Sequence, residues 1–278
     1  MTIDATISHA LRSLVEGANL QGRVTLIGGQ AIRDWHATQA HYLSNSSILL
    51  PPTRSTTDID VHFTLGAEDL DPLQTVISRG WDPDPDTRGG NVYKYSWRAD
   101  PSVTLDLIGL TTSQHAARTQ TLVRIGHGHS IGAVRVLDPW IMTCFLVESC
   151  FTPVFGQLRI QRLTRLGLVA SKLRAVLAVV DEYIAAGRGS RSPESWTERL
   201  AKDVQDLELL LKDRIWVSPL WEDRYRTTQT EINVHWRNLS ESVRGLKERP
   251  SRMPDDVYAR IMTVIIPAIP VLVGPGPR

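Results

Sequence analysis

Two carboxylates stand two residues apart in Thr56-Thr57-Asp58-Ile59-Asp60-Val61-His62-Phe63, with apolar or β-branched residues between and after them. Side chains alternate across a β-strand, so this spacing predicts Asp58 and Asp60 on one face. Two carboxylates side by side repel each other unless something positive lies between them. A hard divalent cation such as Mg²⁺ fits that role, because it prefers carboxylate oxygens and commonly keeps waters and substrate phosphates as its other ligands. The plainer alternative is a pair of solvated residues on a half-exposed strand, and the motif alone does not decide between the two.

A third carboxylate, Asp106, interrupts the apolar run Val103-Thr104-Leu105-Asp106-Leu107-Ile108. An acid inside a strand this apolar is costly unless it is paired or bound to a cation, so Asp106 joins Asp58 and Asp60 as a candidate ligand. Upstream, Arg23 to Ile27 reads as a short buried strand that ends in Gly28-Gly29, and Gln30 to Leu43 reads as a helix. A glycine turn between strand and helix suits phosphate: glycine lets a ligand approach the backbone, and the helix start offers unpaired N–H groups. A tight turn with no ligand would look the same. His62 shares the predicted face of the acids and reads equally as a substrate contact or a buried residue. His127-Gly128-His129 reads as a loop.

The elements that must position these residues follow from periodicity and punctuation. Residues 4–21 form an amphipathic helix, with Ile7, Leu11, Leu14, Val15 and Ala18 on one side. Residues 44–57 form a loop carrying Pro51-Pro52 and Arg54. A helix over 66–79, a loop over 80–90, strands over 92–97 and 103–110 separated by a turn at 99–102, and a strand over 131–137 complete the first half. From Asp138 helices are expected, over 160–186, from 192 or 193 to about 214, over 222–247 and over 255–266. The apolar stretch 261–273 is read as broken by Pro267 and Pro270. The fold class expected is α+β: a mixed sheet flanked by helices over 1–137, then an α-helical domain over 138–278.

Composition excludes several classes. No run of about 20 apolar residues predicts a membrane span. No basic-then-apolar start predicts a signal peptide. The two cysteines, Cys144 and Cys150, suit neither a zinc site nor a disulfide framework, so a cytoplasmic setting is expected. The chain carries a net +1 charge, unevenly spread. Residues 1–156 hold 11 Lys+Arg against 15 Asp+Glu, a net −4, and residues 157–278 hold 20 against 15, a net +5. A basic second half can face a polyanion such as RNA or simply be a solvated helical surface. Arginine outnumbers lysine 26 to 5, so each lysine is informative. Two lysines fall in patterned helices, Ser171-Lys172-Leu173-Arg174-Ala175 and Lys202-Asp203-Val204-Gln205-Asp206-Leu207. Asp203 and Asp206, at i and i+3, share a helix face.

Gly28-Gly29, Asp58-Ile59-Asp60 and the later Asp106, in this order over residues 20–110, resemble the core of the nucleotidyltransferase superfamily of polymerase-β type. The two lysine-bearing helices resemble the AbiEii type, the toxin component of abortive-infection and toxin–antitoxin systems. The 28 residues between Gly29 and Asp58 make a longer spacing than in many members, and the extra length falls in the loop around Arg54. The resemblance implies Asp58, Asp60 and Asp106 as Mg²⁺ ligands, and Gly28, Gly29, Arg54 and Thr57 at the nucleotide. It implies Lys172 at the triphosphate, Asp203 or Asp106 as base toward the attacking hydroxyl, and Lys202 and Asp206 in support. The implied partners are an NTP, tRNA as acceptor and a cognate antitoxin. A small-molecule nucleotidyltransferase of the aminoglycoside-modifying kind shares the Gly-Gly and Asp-x-Asp core, and a non-catalytic nucleotide- or partner-binding protein is the alternative outside enzymes.

Overall fold

A computed structural model describes residues 3–44, 53, 56–65, 70–83, 94–111, 122–125, 132–136, 147–150, 158–186, 194–212, 222–247 and 255–273. The protein is α+β, with a mixed sheet flanked by helices. It divides into two compact units, residues 1–142 with 147–164, and residues 165–278 with 143–146.

In the first unit the described elements are α1 (Ile3–Gly17), β1 (Val24–Ile27), α2 (Gly28–Tyr42), β2 (Asp58–Leu65), α3 (Leu70–Gly80), β3 (Trp81–Pro83), β4 (Lys94–Trp97), β5 (Asp100–Thr111), β6 (Leu122–Ile125), β7 (Gly132–Val136), β8 (Val147–Ser149) and β9 (Gln161–Leu163). The sheet runs β3-β4-β5-β2-β1-β9-β8, with β7 also paired to β5 and β6 paired to β7. Pairing of β2 with β5, of β1 with β9 and of β5 with β7 is parallel, and the remaining ladders are antiparallel. One face of the central strands is packed: Ile59, Val61, Phe63, Val103, Leu105 and Leu107 are buried, as are Tyr95 and Trp97. The apolar stripe of α1 (Ile7, Leu11, Leu14) is buried too, and His9 meets Trp97 edge-on at 5.2 Å between ring centroids. Burial of such a stripe, rather than helix propensity, is what makes a 15-residue helix stable.

Several elements differ from expectation. The loop expected at 80–90 begins as strand β3, and β5 starts at Asp100, absorbing most of the expected turn. The helix expected from Ile160 starts only at Arg165, because Gln161 and Arg162 pair with Thr25 and Leu26 of β1 as strand β9. A short apolar run at the head of a helical pattern looks like helix by periodicity; tertiary pairing claims it for the sheet. Strands β8 and β9 thus extend the sheet past residue 138, where helices alone were expected. The His127-Gly128-His129 loop, Arg54 and the start of the helical half expected from Asp138 lie outside the described residues.

Among the described residues the second unit is helical: α4 (Arg165–Ala186), α5 (Glu194–Leu211), α6 (Glu222–Lys247), α7 (Asp255–Arg260), a π-helical turn (Ile261–Ile265) and α8 (Ile266–Val273). Arg165 donates to the Leu210 carbonyl at 2.7 Å, satisfying an acceptor at the C-terminal end of α5, and Arg260 pairs with Glu208 through both carboxylate oxygens. The last helix runs through Pro267 and Pro270 instead of breaking there. Pro267 follows directly on the π-helical turn, where the backbone stays helical through Ile266 (φ −59°, ψ −43°) and the Ile266 N–H donates to the Ile261 carbonyl. Pro270 cannot donate to the Ile266 carbonyl, and the Trp236 indole N–H supplies that bond from α6 at 2.9 Å. Among the described residues no helix is long and apolar enough to cross a membrane.

Candidate functional site

The three acids predicted from sequence lie on two neighbouring strands. Asp60 of β2 is the direct register partner of Asp106 of β5, and Asp58 is opposite Thr104. Alternation places all three on one face: Ile59, Leu105 and Leu107 point into the core, while Asp58 is exposed and Asp60 and Asp106 are half-buried. Asp58 Oδ1 accepts a 2.6 Å hydrogen bond from the Thr104 hydroxyl. Neighbouring strands lie about 4.8 Å apart, so the register places Asp60 and Asp106 side by side. His62, two residues on, is only 2% exposed. Burial pushes its pKa down to about 4, so it is a neutral core imidazole at neutral pH.

Gly28 joins these acids from the next strand. Ile27 ends β1 opposite Asp60, and Gly28 opens α2 with φ +63°. A Cβ built on Gly28 would lie 2.0 Å from Asp60 Oδ2 and 2.8 Å from its Cγ. The backbone of the Gly-Gly turn therefore lies against the second acid at a distance that no side chain tolerates. Gly29, the next residue, is buried in the first turn of α2, which carries no carboxylate. Gln30, fully buried, donates from Nε2 to the Thr56 carbonyl at 2.8 Å and accepts from Arg33 at 3.1 Å. The Thr56 hydroxyl accepts from the Asp58 N–H at 3.2 Å, and the Thr57 carbonyl from Thr104 N–H at 3.3 Å. Helix α2 thus fixes the approach to β2 as well as offering its own N-terminus.

A Gly28→Ala variant is expected to lose stability by about 1–2 kcal/mol from the left-handed backbone alone, and to shift Asp60 as well. Gly22 is the control: its φ is +76° but nothing lies within 4 Å of a Cβ there. Urea denaturation should show a loss in both Gly22→Ala and Gly28→Ala, whereas a ligand or activity defect should appear only in Gly28→Ala. Equal functional effects would separate Gly28 from the acids.

In the second unit Lys172 of α4 meets Asp203 and Asp206 of α5. Its Nζ is 2.6 Å from Asp203 Oδ1 and 2.8 Å from Asp206 Oδ2, and all three side chains are buried. Arg199 stands 4.0 Å from the other Asp203 oxygen. Lys202 is exposed and is not part of this cluster. Burial by itself would lower the Lys172 pKa, but the charges of Asp203 and Asp206, with their hydrogen bonds, raise it above 10.5. A Lys172→Met variant would strand two buried carboxylates, a loss on the order of 3–5 kcal/mol. A raised folded-state pKa means that this stabilisation is complete below 10.5 and fades as pH rises through the folded value. Denaturation above pH 10.5 should therefore show an alkaline decline in the wild type that is smaller in Lys172→Met.

Sequence reasoning missed two features. One is Lys94 of β4, the register partner of Asp106 on the side away from Asp60. The other is a buried ion cluster in which Arg162 of β9 holds Asp34 of α2 at 2.6 Å, pairs with Glu148 of β8, and donates to Thr38 at 3.2 Å. The low lysine count was the available signal for the first; the second joins residues 128 apart in sequence and had none. Among the described residues, no group of three or more His, Cys, Asp or Glu side chains is drawn together into a ready metal cage. Compared with protein-family models and with curated proteins, the sequence matches none.

Proposed function

We propose that the protein is a Mg²⁺-dependent nucleotidyltransferase that moves an NMP from an NTP to an acceptor. The observation that carries this is the register of Asp60 against Asp106, with Asp58 on the same face and the Gly28 backbone against the Asp60 carboxylate. On this reading the first unit has the nucleotidyltransferase fold and the second is the helical domain that helps bind NTP and acceptor. The donor set fits the cation: it is all carboxylate, and Mg²⁺ is commonly held by one or two carboxylates completed by waters and substrate phosphates, so a preformed protein cage is not required. When bound, Mg²⁺ supplies charge neutralisation for the attacking and leaving oxygens of an in-line displacement.

In the reaction the acceptor hydroxyl oxygen bonds to the α-phosphorus and the bond to the bridging oxygen breaks. Pyrophosphate leaves with that electron pair. The hydroxyl proton passes to a carboxylate, Asp106 or Asp203. Asp58, Asp60 and Asp106 would hold the cation, whose charge would offset that of the triphosphate, and the Gly28 and Gly29 N–H groups would meet the phosphates. Arg54 and Thr57 would complete the nucleotide side, and Lys172, Lys202 and Asp206 are the residues that the resemblance assigns to support from the helical unit.

The acceptor class proposed is RNA, specifically tRNA, with the protein acting in the cytoplasm as the toxin of a toxin–antitoxin pair whose antitoxin is its partner. The net +5 of residues 157–278 supports a polyanionic acceptor. The test offers labelled NTP with Mg²⁺ and either total tRNA or an aminoglycoside, beside induced expression in cells. Label on RNA together with growth arrest supports the toxin. Label on the antibiotic replaces it with a small-molecule enzyme. Nucleotide binding without transfer to either acceptor makes the chain a binding protein.

A further inference from the structure

We infer that Lys94 is the built-in cation of the acidic face, holding the charge of Asp106 before substrate arrives and then binding the phosphates of the nucleoside triphosphate. This rests on the proposed nucleotidyl transfer and adds to it a residue that the sequence motifs do not contain. Three observations place Lys94 there. In β4 the side chains alternate, with Tyr95 and Trp97 buried in the core and Lys94 and Ser96 half-buried on the opposite face. The antiparallel register sets Lys94 directly opposite Asp106 and Ser96 opposite Thr104. Across the sheet this gives one row, Lys94, Asp106, Asp60, Ile27, and beside it a second, Ser96, Thr104, Asp58. Those two rows hold all three acids, and Lys94 is the cationic residue in them.

The charges explain why such a residue is needed. Three carboxylates put −3 on the face, and Lys94 offsets one of them. A divalent cation would take Asp60 and Asp106 as its ligands, and Asp106 then no longer needs the ammonium. A triphosphate arriving with the cation brings several new negative charges. Lysine is suited to the exchange because its ammonium is a compact point charge on a flexible four-carbon stem, able to turn from carboxylate to phosphate without a fixed bidentate geometry. Before nucleotide binds, Lys94 and the divalent cation are competitors for Asp106. After it binds, they act together on the phosphates. A residue present only to solvate or stiffen β4 would show neither behaviour.

The two roles predict changes of opposite sign in one variant. Mn²⁺ binding to the full chain without nucleotide, followed by the electron paramagnetic resonance of free Mn²⁺, should tighten severalfold in Lys94→Met. Binding of fluorescent methylanthraniloyl triphosphates, each of the four bases tried with Mg²⁺ present, should weaken by about tenfold, the loss of one charge-assisted phosphate contact. Lys94→Arg should recover most of the triphosphate affinity, and Lys94→Gln serves where the Met variant does not fold. Triphosphate affinity within twofold of wild type overturns the inference for Lys94 alone. Joint weakening of Mn²⁺ and nucleotide also overturns it, because that is the signature of a damaged strand. A wild-type chain that binds neither Mn²⁺ nor any triphosphate instead removes the proposed function, and Lys94 with it, before a variant is made.

Discussion

An Asp60→Asn variant is expected to lose nucleotidyl transfer by at least about 10³-fold, roughly 4 kcal/mol of transition-state stabilisation, while its thermal midpoint stays within a few degrees of wild type. Asp60 occupies the centre of the site: register partner of Asp106 on one side, of Ile27 on the other, and in contact with the Gly28 backbone. Removing its charge takes one ligand from the cation and one neighbour from the Gly-Gly turn. It also relieves a like-charge pair with Asp106, a contact that works against stability by a few tenths of a kcal/mol to about 1 kcal/mol. Function and stability should therefore separate. A variant that unfolds, or one that transfers at wild-type rate, contradicts the role assigned to the residue. Label transfer read beside a urea melt of the same preparation makes the distinction.

An Arg162→Met variant is expected to behave in the reverse way, with a stability loss of about 3–5 kcal/mol. Arg162 is 2% exposed and its partner Asp34 fully buried. Taking the guanidinium away strands the Asp34 carboxylate in the interior, and it loosens the hold of β9 and β8 on α2. The cost is that of an uncompensated buried charge, so replacing both partners with apolar residues, as in Asp34→Leu with Arg162→Met, should recover much of it. A urea series on the single and double variants decides the matter. An Arg162→Met melt within about 1 kcal/mol of wild type would show the cluster to be dispensable. Cys150 lies in the same surroundings: burial first, and then Asp34, push its thiol pKa up, which keeps it in the unreactive protonated form.

The parts of the site that were legible in the sequence are those set by local spacing. Asp58 and Asp60 share a face because strands repeat every two residues, and the Gly-Gly pair marks the change from strand to helix, although the helix begins at Gly28 rather than at Gln30. Asp106 stood out as a charge in an apolar run. The pairing of Lys172 with Asp203 and Asp206 was partly legible, since i and i+3 acids share a helix face, but which cation they meet depends on how α4 packs on α5. Lys94 was legible only as one of few lysines: its place beside Asp106 follows from the β4–β5 register, which includes a shift between Ser96 and Trp97. Arg162 was hidden for the same reason, since its segment carries a helical apolar pattern and becomes a strand only by pairing with β1. Local chemistry shows in the sequence; partners brought together by register and by long loops do not.

The central claim is that the face carrying Asp58, Asp60 and Asp106 transfers a nucleotidyl group, and label position tests it most directly. The full-length protein is incubated with Mg²⁺, total tRNA and each NTP, labelled in one series at the α-phosphate and in another at the γ-phosphate. The account predicts label on RNA from the α-series alone, lost on chelation of Mg²⁺ and in Asp60→Asn. Transfer from the γ-series, or α-label transfer that survives in Asp60→Asn, would contradict it.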